Sequence, residues 1–194
     1  MNIIDLYRIA KVKRGRHTSA EEKFEDTSNN KIVESFILSY SQVSGKLEDI
    51  LSGNTILNDN LERVFIDLFG KYRNSRVEAD TIIIPINHNN KIPRIVTFRE
   101  KEKFKNLIFA DDLIYIKPDK DLIDSKYLFY VMQTQAIINK LNEEKKLSCR
   151  KVEEVTIKLP SMERQLEIVK QLDLIGSKKV ELDKQEKNIL EKLI

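Results

Sequence analysis

The chain has 194 residues, 41% hydrophobic and 34% charged, with a formal net charge of +3. That balance holds too much apolar material for a disordered chain and fits one large domain, or one domain with an appendage. Cys149 is the sole cysteine, which excludes a disulfide framework and a cysteine-rich zinc site. No apolar run approaches the roughly 20 residues needed to span a bilayer. The start, Met1 to Asp5, lacks the basic segment and apolar core of a signal peptide, so a cytoplasmic setting is expected.

The charge is unevenly placed. Residues 160–194 carry seven basic and seven acidic side chains, so the positive excess lies in residues 1–159. Arg8, Lys11, Lys13, Arg14 and Arg16 fall together with no acidic residue among them. Such a patch can attract phosphates even on a nearly neutral protein, or serve as an ordinary solvated strand end.

In chain order, Ile3 to Val12 has a short β-like pattern that stops at the Arg14-Gly15-Arg16 turn signal. Residues 17–31 are polar and read as a surface loop, and Ile32 to Tyr40 as a strand. Leu57, Leu61, Val64, Phe65 and Leu68 recur at helical spacing, which predicts an amphipathic helix ending at Gly70. Thr81 to Ile86 is continuous and β-branched, hence a buried strand. Asn87-His88-Asn89-Asn90 is a turn, and Ile92 to Phe98 returns as the second strand of a hairpin. A charged stretch opens at Arg99; Leu107 to Phe109 and Leu113 to Ile116 then read as strands around Asp111-Asp112.

Asp124 or Ser125 caps a helix whose stripe is Leu128, Val131, Met132, Ile138 and Leu141. Cys149-Arg150 reads as a connector, and Val155 to Leu159 as a strand stopped by Pro160. Ser161 then caps a helix with Met162, Leu166, Val169 and Leu172 on one face. Gly176 is expected to interrupt it before a second stretch runs to Ile194. Ile168, Ile175, Leu182 and Ile189 fall at intervals of seven, the spacing of a coiled-coil seam. Among the companion positions Leu172 and Leu193 fit, but Lys179 and Glu186 do not. The pattern allows a helix packed on a partner or one folded back on its own domain.

Catalytic groups are hard to assemble. His17 and His88 both lie in polar segments, with no cysteine or carboxylate at metal-ligand spacing. There is no phosphate-cradling glycine loop and no Gly-x-Ser-x-Gly elbow. Pro118-Asp119 followed by Glu143-Glu144-Lys145 has the order of a metal-dependent nuclease pattern. Its second half, however, sits at the end of a predicted helix in a run of charges, where convergence on one Mg²⁺ is not expected. The residues point to a binder without a metal or cofactor of its own.

The run Val155 to Val169 resembles a junction found in specificity subunits of type I restriction-modification systems. Leu159-Pro160, Gln165 and Ile168-Val169 carry the likeness. Leu6 to Gly15 resembles the family's opening strand, and Glu78 to Ile84 its Gly-Asp strand, with Ala79 in place of the glycine. Asp112 to Pro118 and Lys126 to Val131 resemble the strand and helix that follow. The resemblance implies a mixed α/β target recognition domain, with a mixed sheet and flanking helices, over residues 1–159. A spacer, coiled-coil-like helix over 160–194 would serve dimerisation and methyltransferase docking.

It further implies a non-catalytic subunit that directs methyltransferase and restriction subunits to a split site on double-stranded DNA. S-adenosylmethionine would sit on the methyltransferase, not here. One head and one helix make half a specificity subunit, which a homodimer through the C-terminal helices would complete, giving an interrupted inverted-repeat site. A stand-alone DNA-binding regulator, or a fragment of a longer two-domain subunit, are the alternatives.

Arginine can bridge guanine bidentately, and asparagine can read adenine. The DNA-contact candidates are Lys13, Arg14, Arg16 and His17 after the first strand, and Arg73, Asn74 and Arg76 before the buried strand. His88, Asn89, Asn90 and Arg94 surround the hairpin, and Lys101, Lys103 and Lys105 are offset by Glu100 and Glu102. The helix candidates for partner packing are Leu172, Ile175, Leu182, Ile189 and Leu193, with Leu166 and Val169 assigned to internal packing.

Overall fold

In the computed structural model, residues 2–19, 22, 32–57, 61–67, 70, 72–98 and 106–191 are described. The strands are β1 (Asn2–Asp5), β2 (Ala10–Arg14), β3 (Val33–Leu38), β4 (Glu62–Ile66), β5 (Thr81–Pro85), β6 (Arg94–Val96), β7 (Leu107–Phe109), β8 (Leu113–Pro118) and β9 (Thr156–Leu159). The helices are α1 (Leu47–Ser52), α2 (Ser125–Met132), α3 (Gln135–Asn142), α4 (Cys149–Glu153) and α5 (Met162–Glu191).

The continuous apolar run 81–86 is the centre of the fold. β5 lies inside an antiparallel sheet of order β2-β8-β5-β6. Successive side chains of a strand point to opposite faces. Ile82 and Ile84 therefore enter one core, with Val12, Ile114, Ile116 and the apolar faces of α2, α3 and α4. Ile83 enters another, with Tyr115, Val96, Leu107 and Phe109. This second core joins the four-stranded sheet to a three-stranded one of order β4-β3-β7, in which β3 and β7 run parallel. The far face of that smaller sheet closes over Val64, Ile66, Tyr72 and Ile108. The hairpin expected over 81–98 is present, as are strands over 107–109 and 113–116, although these two belong to different sheets.

Several expectations are corrected. The helix expected over 57–70 is not formed; Glu62–Ile66 is a strand paired antiparallel with β3. Val64 and Ile66 alternate inward with period two, and their β-branched side chains favour a strand over the helical spacing that the leucines suggest. Leu68 lies outside the described residues. The opening strand is two strands, β1 and β2, parted by a 3₁₀ turn at Leu6–Arg8 that buries Leu6. β1 leaves the main sheet and pairs with β9. The single helix expected after Asp124 is two, α2 and α3, parted at Gln133-Thr134. Asp124 is its cap, accepting the Tyr127 N–H at 2.8 Å. Cys149-Arg150 is not a connector but opens α4, capped by Ser148. In the turn before β5 it is Asp80, not Ala79, that takes a positive φ of 66°. Aspartate tolerates that region better than most residues.

Gly176 does not interrupt its helix, since α5 runs unbroken from Met162 to Glu191. It is buried where α1 crosses α5, and a Cβ there would stand 3.3 Å from both δ-carbons of Leu47. The glycine lets the helices approach rather than ending one of them. Gln165, fully buried, ties the start of α5 to the head. It accepts the Asp124 N–H at 2.8 Å and donates to the carbonyls of Leu122 and Pro160. Asp173 receives Lys126 at 2.7 Å and the Tyr130 hydroxyl, and Lys184 reaches Glu48 at 2.6 Å.

Candidate nucleic-acid interface

Alternation along β2 sets the first wall. Ala10 and Val12 are buried, so Lys11 and Lys13 face outward, opposite Lys117 and Tyr115 of β8. The chain then passes through Gly15, where a Cβ would lie 1.7 Å from the Ala110 carbonyl oxygen. Only glycine permits that approach. It places Arg16 beside Ala110 and Arg14 beside the Asp111-Asp112 turn. Arg14 donates to the Asp111 carbonyl at 3.0 Å, and His17 Nδ1 lies 3.3 Å from the Asp111 carboxylate.

The second wall is the 3₁₀ turn Arg73–Ser75. Its backbone is clamped: Arg73 and Ser75 N–H groups donate to Gly70 and Tyr72 carbonyls, and Tyr115 donates its hydroxyl to the Asn74 carbonyl at 2.6 Å. Burial holds the Tyr115 phenol above its ordinary pKa, which keeps it a donor. Arg76 continues into a bridge with Ile108, and Lys117 donates to its carbonyl at 3.2 Å.

Between these walls lies an open cleft of about 630 Å³. Lys11, Lys13, Arg73 and Asn74 line it, together with Tyr7, Arg8, Lys117 and Lys120. Its acidic members are Glu78 and Asp119. Lys117 is paired with Glu78 and Lys120 with Asp80. The side chains of Lys11, Lys13 and Arg73 make no ion pair or hydrogen bond with any described residue, which leaves their charge for an external anion. Tyr7, Lys117 and Lys120 were not among the sequence candidates, whereas Arg8 and Lys11 were read there only as part of the basic patch. Lys11 was recoverable, because it alternates with Lys13 on one strand; Lys117 and Lys120 reach the cleft only through the β2–β8 pairing.

The hairpin candidates sit apart from this cleft. β2 and β5 both flank β8, and their C-terminal ends share one end of the sheet. His88, Asn89 and Asn90 are exposed there, with His88 Nδ1 hydrogen-bonded within its own turn to Asn90. Arg94 differs. It stacks 4.0 Å over the Tyr40 ring and donates to the carbonyls of Tyr40 and Val43, so its guanidinium is committed to the 40–43 turn. Asp112, in the same hollow, is held above the ordinary carboxylate range, chiefly by burial. Lys101, Lys103 and Lys105 lie outside the described residues.

Burial changes along α5. Gln165, Asp173 and Gly176 meet the head, and Ile168 and Val169 pack against its core, with Leu172 half-buried. Ile175, Leu182 and Ile189, farther along the seven-residue seam that starts at Ile168, are 63%, 63% and 61% exposed. Leu166, assigned to internal packing from its spacing, is exposed instead. Leu193 lies outside the described residues.

The nuclease pattern does not assemble: Asp119 accepts the Asp121 N–H, while Glu144 pairs with Lys151 on α4. Among the described residues no cluster of His, Cys, Asp or Glu could hold a metal ion, and no helix is long and apolar enough to cross a membrane.

The family model described as "Type I restriction modification DNA specificity domain" matches residues 3–192. The chain is similar in structure to the HsdS subunit from Thermoanaerobacter tengcongensis, with a TM-score of 0.67 at 12% identity, covering 98% of this chain and 46% of that one. It is similar to a chain from a study of complex assembly and conformational transition of the type I R-M system, with a TM-score of 0.66 at 13% identity, covering 99% and 42%. It is similar too to the type I restriction-modification S subunit from M. genitalium, with a TM-score of 0.51 at 15% identity, covering 99% and 43%. The chain thus spans under half the length of each. No curated protein sequence matches it.

Proposed function

We propose, from the premise that the chain belongs to the type I restriction modification DNA specificity domain family, that it is a DNA-reading subunit without catalysis of its own. Residues 1–159 form the reading head and residues 160–194 the arm. The head binds a split site on double-stranded DNA, and the arm docks methyltransferase subunits, so that the subunit directs these and restriction subunits joining the same assembly to that site. S-adenosylmethionine binds the methyltransferase, and the complex works in the cytoplasm. Two copies meet through the exposed Ile175, Leu182 and Ile189 of α5 and present two heads.

The observation that carries this reading is the cleft in which Lys11, Lys13 and Arg73 have no ion pair or hydrogen bond to any described residue, within a chain matched by the family model from head to arm. Neutralising phosphates releases counterions, so binding should weaken with salt at a slope of about 0.9 per phosphate contact. Replacing Lys11 and Lys13 by alanine should therefore weaken DNA binding and flatten that slope by about two contacts. Co-purification of a methyltransferase subunit, and loss of methylation at an interrupted site when the chain is deleted, would support the assembly. Cleavage of DNA by the isolated chain with Mg²⁺ would overturn the non-catalytic reading. A strict monomer with the arm intact would overturn the symmetric dimer.

A further inference from the structure

The turn that carries Arg73 and Asn74 combines two properties that pull in opposite directions. Its backbone is restrained from several sides. Arg73 and Ser75 N–H groups are bonded to Gly70 and Tyr72, the Asn74 carbonyl takes the Tyr115 hydroxyl at 2.6 Å, and the Val77 N–H donates to Leu107. Tyr115 itself is buried and stacked 4.7 Å from Phe109, so its anchor is part of the core. Yet the Arg73 and Asn74 side chains are exposed and bond to no described residue. Arg76, two residues on, is half-buried and partnered, and so contrasts with both. Long polar side chains gain binding precision when their backbone is held in advance and their own donors are left open. Surface decoration needs no such clamp.

We infer that Arg73 and Asn74 are the base-reading tip of the head, Arg73 selecting guanine and Asn74 selecting adenine at neighbouring positions of the half-site. This rests on the DNA-reading function proposed above. The chemistry follows from the major-groove pattern. A planar guanidinium offers two parallel donors to guanine O6 and N7, and a carboxamide offers one donor and one acceptor to adenine N7 and N6. Consecutive Cα atoms lie about 3.8 Å apart and bases on a strand rise about 3.4 Å, so two adjacent residues match neighbouring base pairs. Lys11 and Lys13, on the opposite wall of the cleft, would hold phosphates and carry no base information.

The test is selection of bound duplexes from a randomised double-stranded DNA pool by the full chain, in the oligomeric form in which it purifies. The same selection is run with Arg73→Ala, Arg73→Lys and Asn74→Ala, each checked for an unchanged thermal midpoint. The wild type should enrich a half-site holding a guanine and an adenine side by side. Arg73→Ala and Arg73→Lys should both relax the guanine alone, by roughly five- to a hundredfold in preference. The lysine keeps the charge but loses the bidentate fork, so it should retain more overall affinity than alanine. Asn74→Ala should relax the adenine alone. A merely structural role would weaken every position together or lower the midpoint, and either result overturns the inference. A wild-type motif carried unchanged by the variants also overturns it while leaving the DNA-reading function standing. No enriched motif for the wild type overturns both.

Discussion

β5 is sealed on both faces, with Ile82 and Ile84 in one core and Ile83 in the other, whereas α5 is sealed on only one. The head is held by apolar burial, which is non-directional and dense. The arm is held by a narrower apolar seam, Ile168, Val169 and the Gly176 crossing on Leu47, together with the directional contacts of Gln165 and Asp173. The difference teaches how one chain combines two tasks. In the proposed function, the densely packed head would keep a reading surface in place, and the exposed side of the arm would take a second protein.

The sharpest way to break the head is at Gly15. Gly15→Ala puts a Cβ against the backbone of Ala110, where nothing can swing aside, and should cost about 3 kcal/mol or more. Thermal or urea unfolding reads this, and an unchanged midpoint would mean the β2–β7 approach is looser than described. On the arm, Asp173→Ala strips the partner from both Lys126 and Tyr130, groups mostly withdrawn from solvent. It should cost about 1–3 kcal/mol and raise hydrogen exchange along α5 while leaving β5 protected. Exchange rising equally in both regions would dissolve the contrast between them.

A pH series sharpens the same contact. Burial first, then the hydrogen bond to Asp173 and its charge, hold the Tyr130 phenol well above its ordinary range. A folded-state pKa that is raised gives stability fully present below the unfolded value of about 10 and lost as pH climbs through it toward the folded one. Tyr130→Phe should therefore lose less stability than the wild type between neutral and strongly alkaline pH. Denaturant midpoints at several pH values test this, and parallel curves would count against the coupling. The smallest effect on stability is expected on the outer face of α5. Leu182→Lys should shift unfolding by no more than about 0.5 kcal/mol, because its side chain is already exposed. Sedimentation should nevertheless show self-association abolished, and a persisting dimer would move the interface elsewhere.

Local residue order made parts of this molecule legible. The run Thr81 to Ile86 announced a buried strand because its β-branched side chains have no polar face to expose. The Ser161 cap, and Asp124 as one of two candidates, were readable because a short polar side chain before an apolar stripe satisfies a free N–H. Where two periods compete, local order misled. Val64 and Ile66 satisfy a strand while Leu57, Leu61, Val64 and Leu68 satisfy a helix, and pairing with β3 decided the outcome.

Composition and motif by themselves determined the charge asymmetry, the buried central strand, the seven-residue stripe on the last helix and the junction at Leu159-Pro160. Tertiary structure alone decided which polar groups remain free. Arg94 and Arg73 are the same residue type, and both read as DNA-contact candidates from sequence. One is spent on two carbonyls and a tyrosine ring, and the other, on a clamped turn, bonds to no described residue. Gly176 likewise looked like a stop and proved a crossing point, because only the position of Leu47 reveals why a side chain is missing there. Periodicity is written in neighbouring residues; the partners that occupy or release a side chain come from segments tens of residues away.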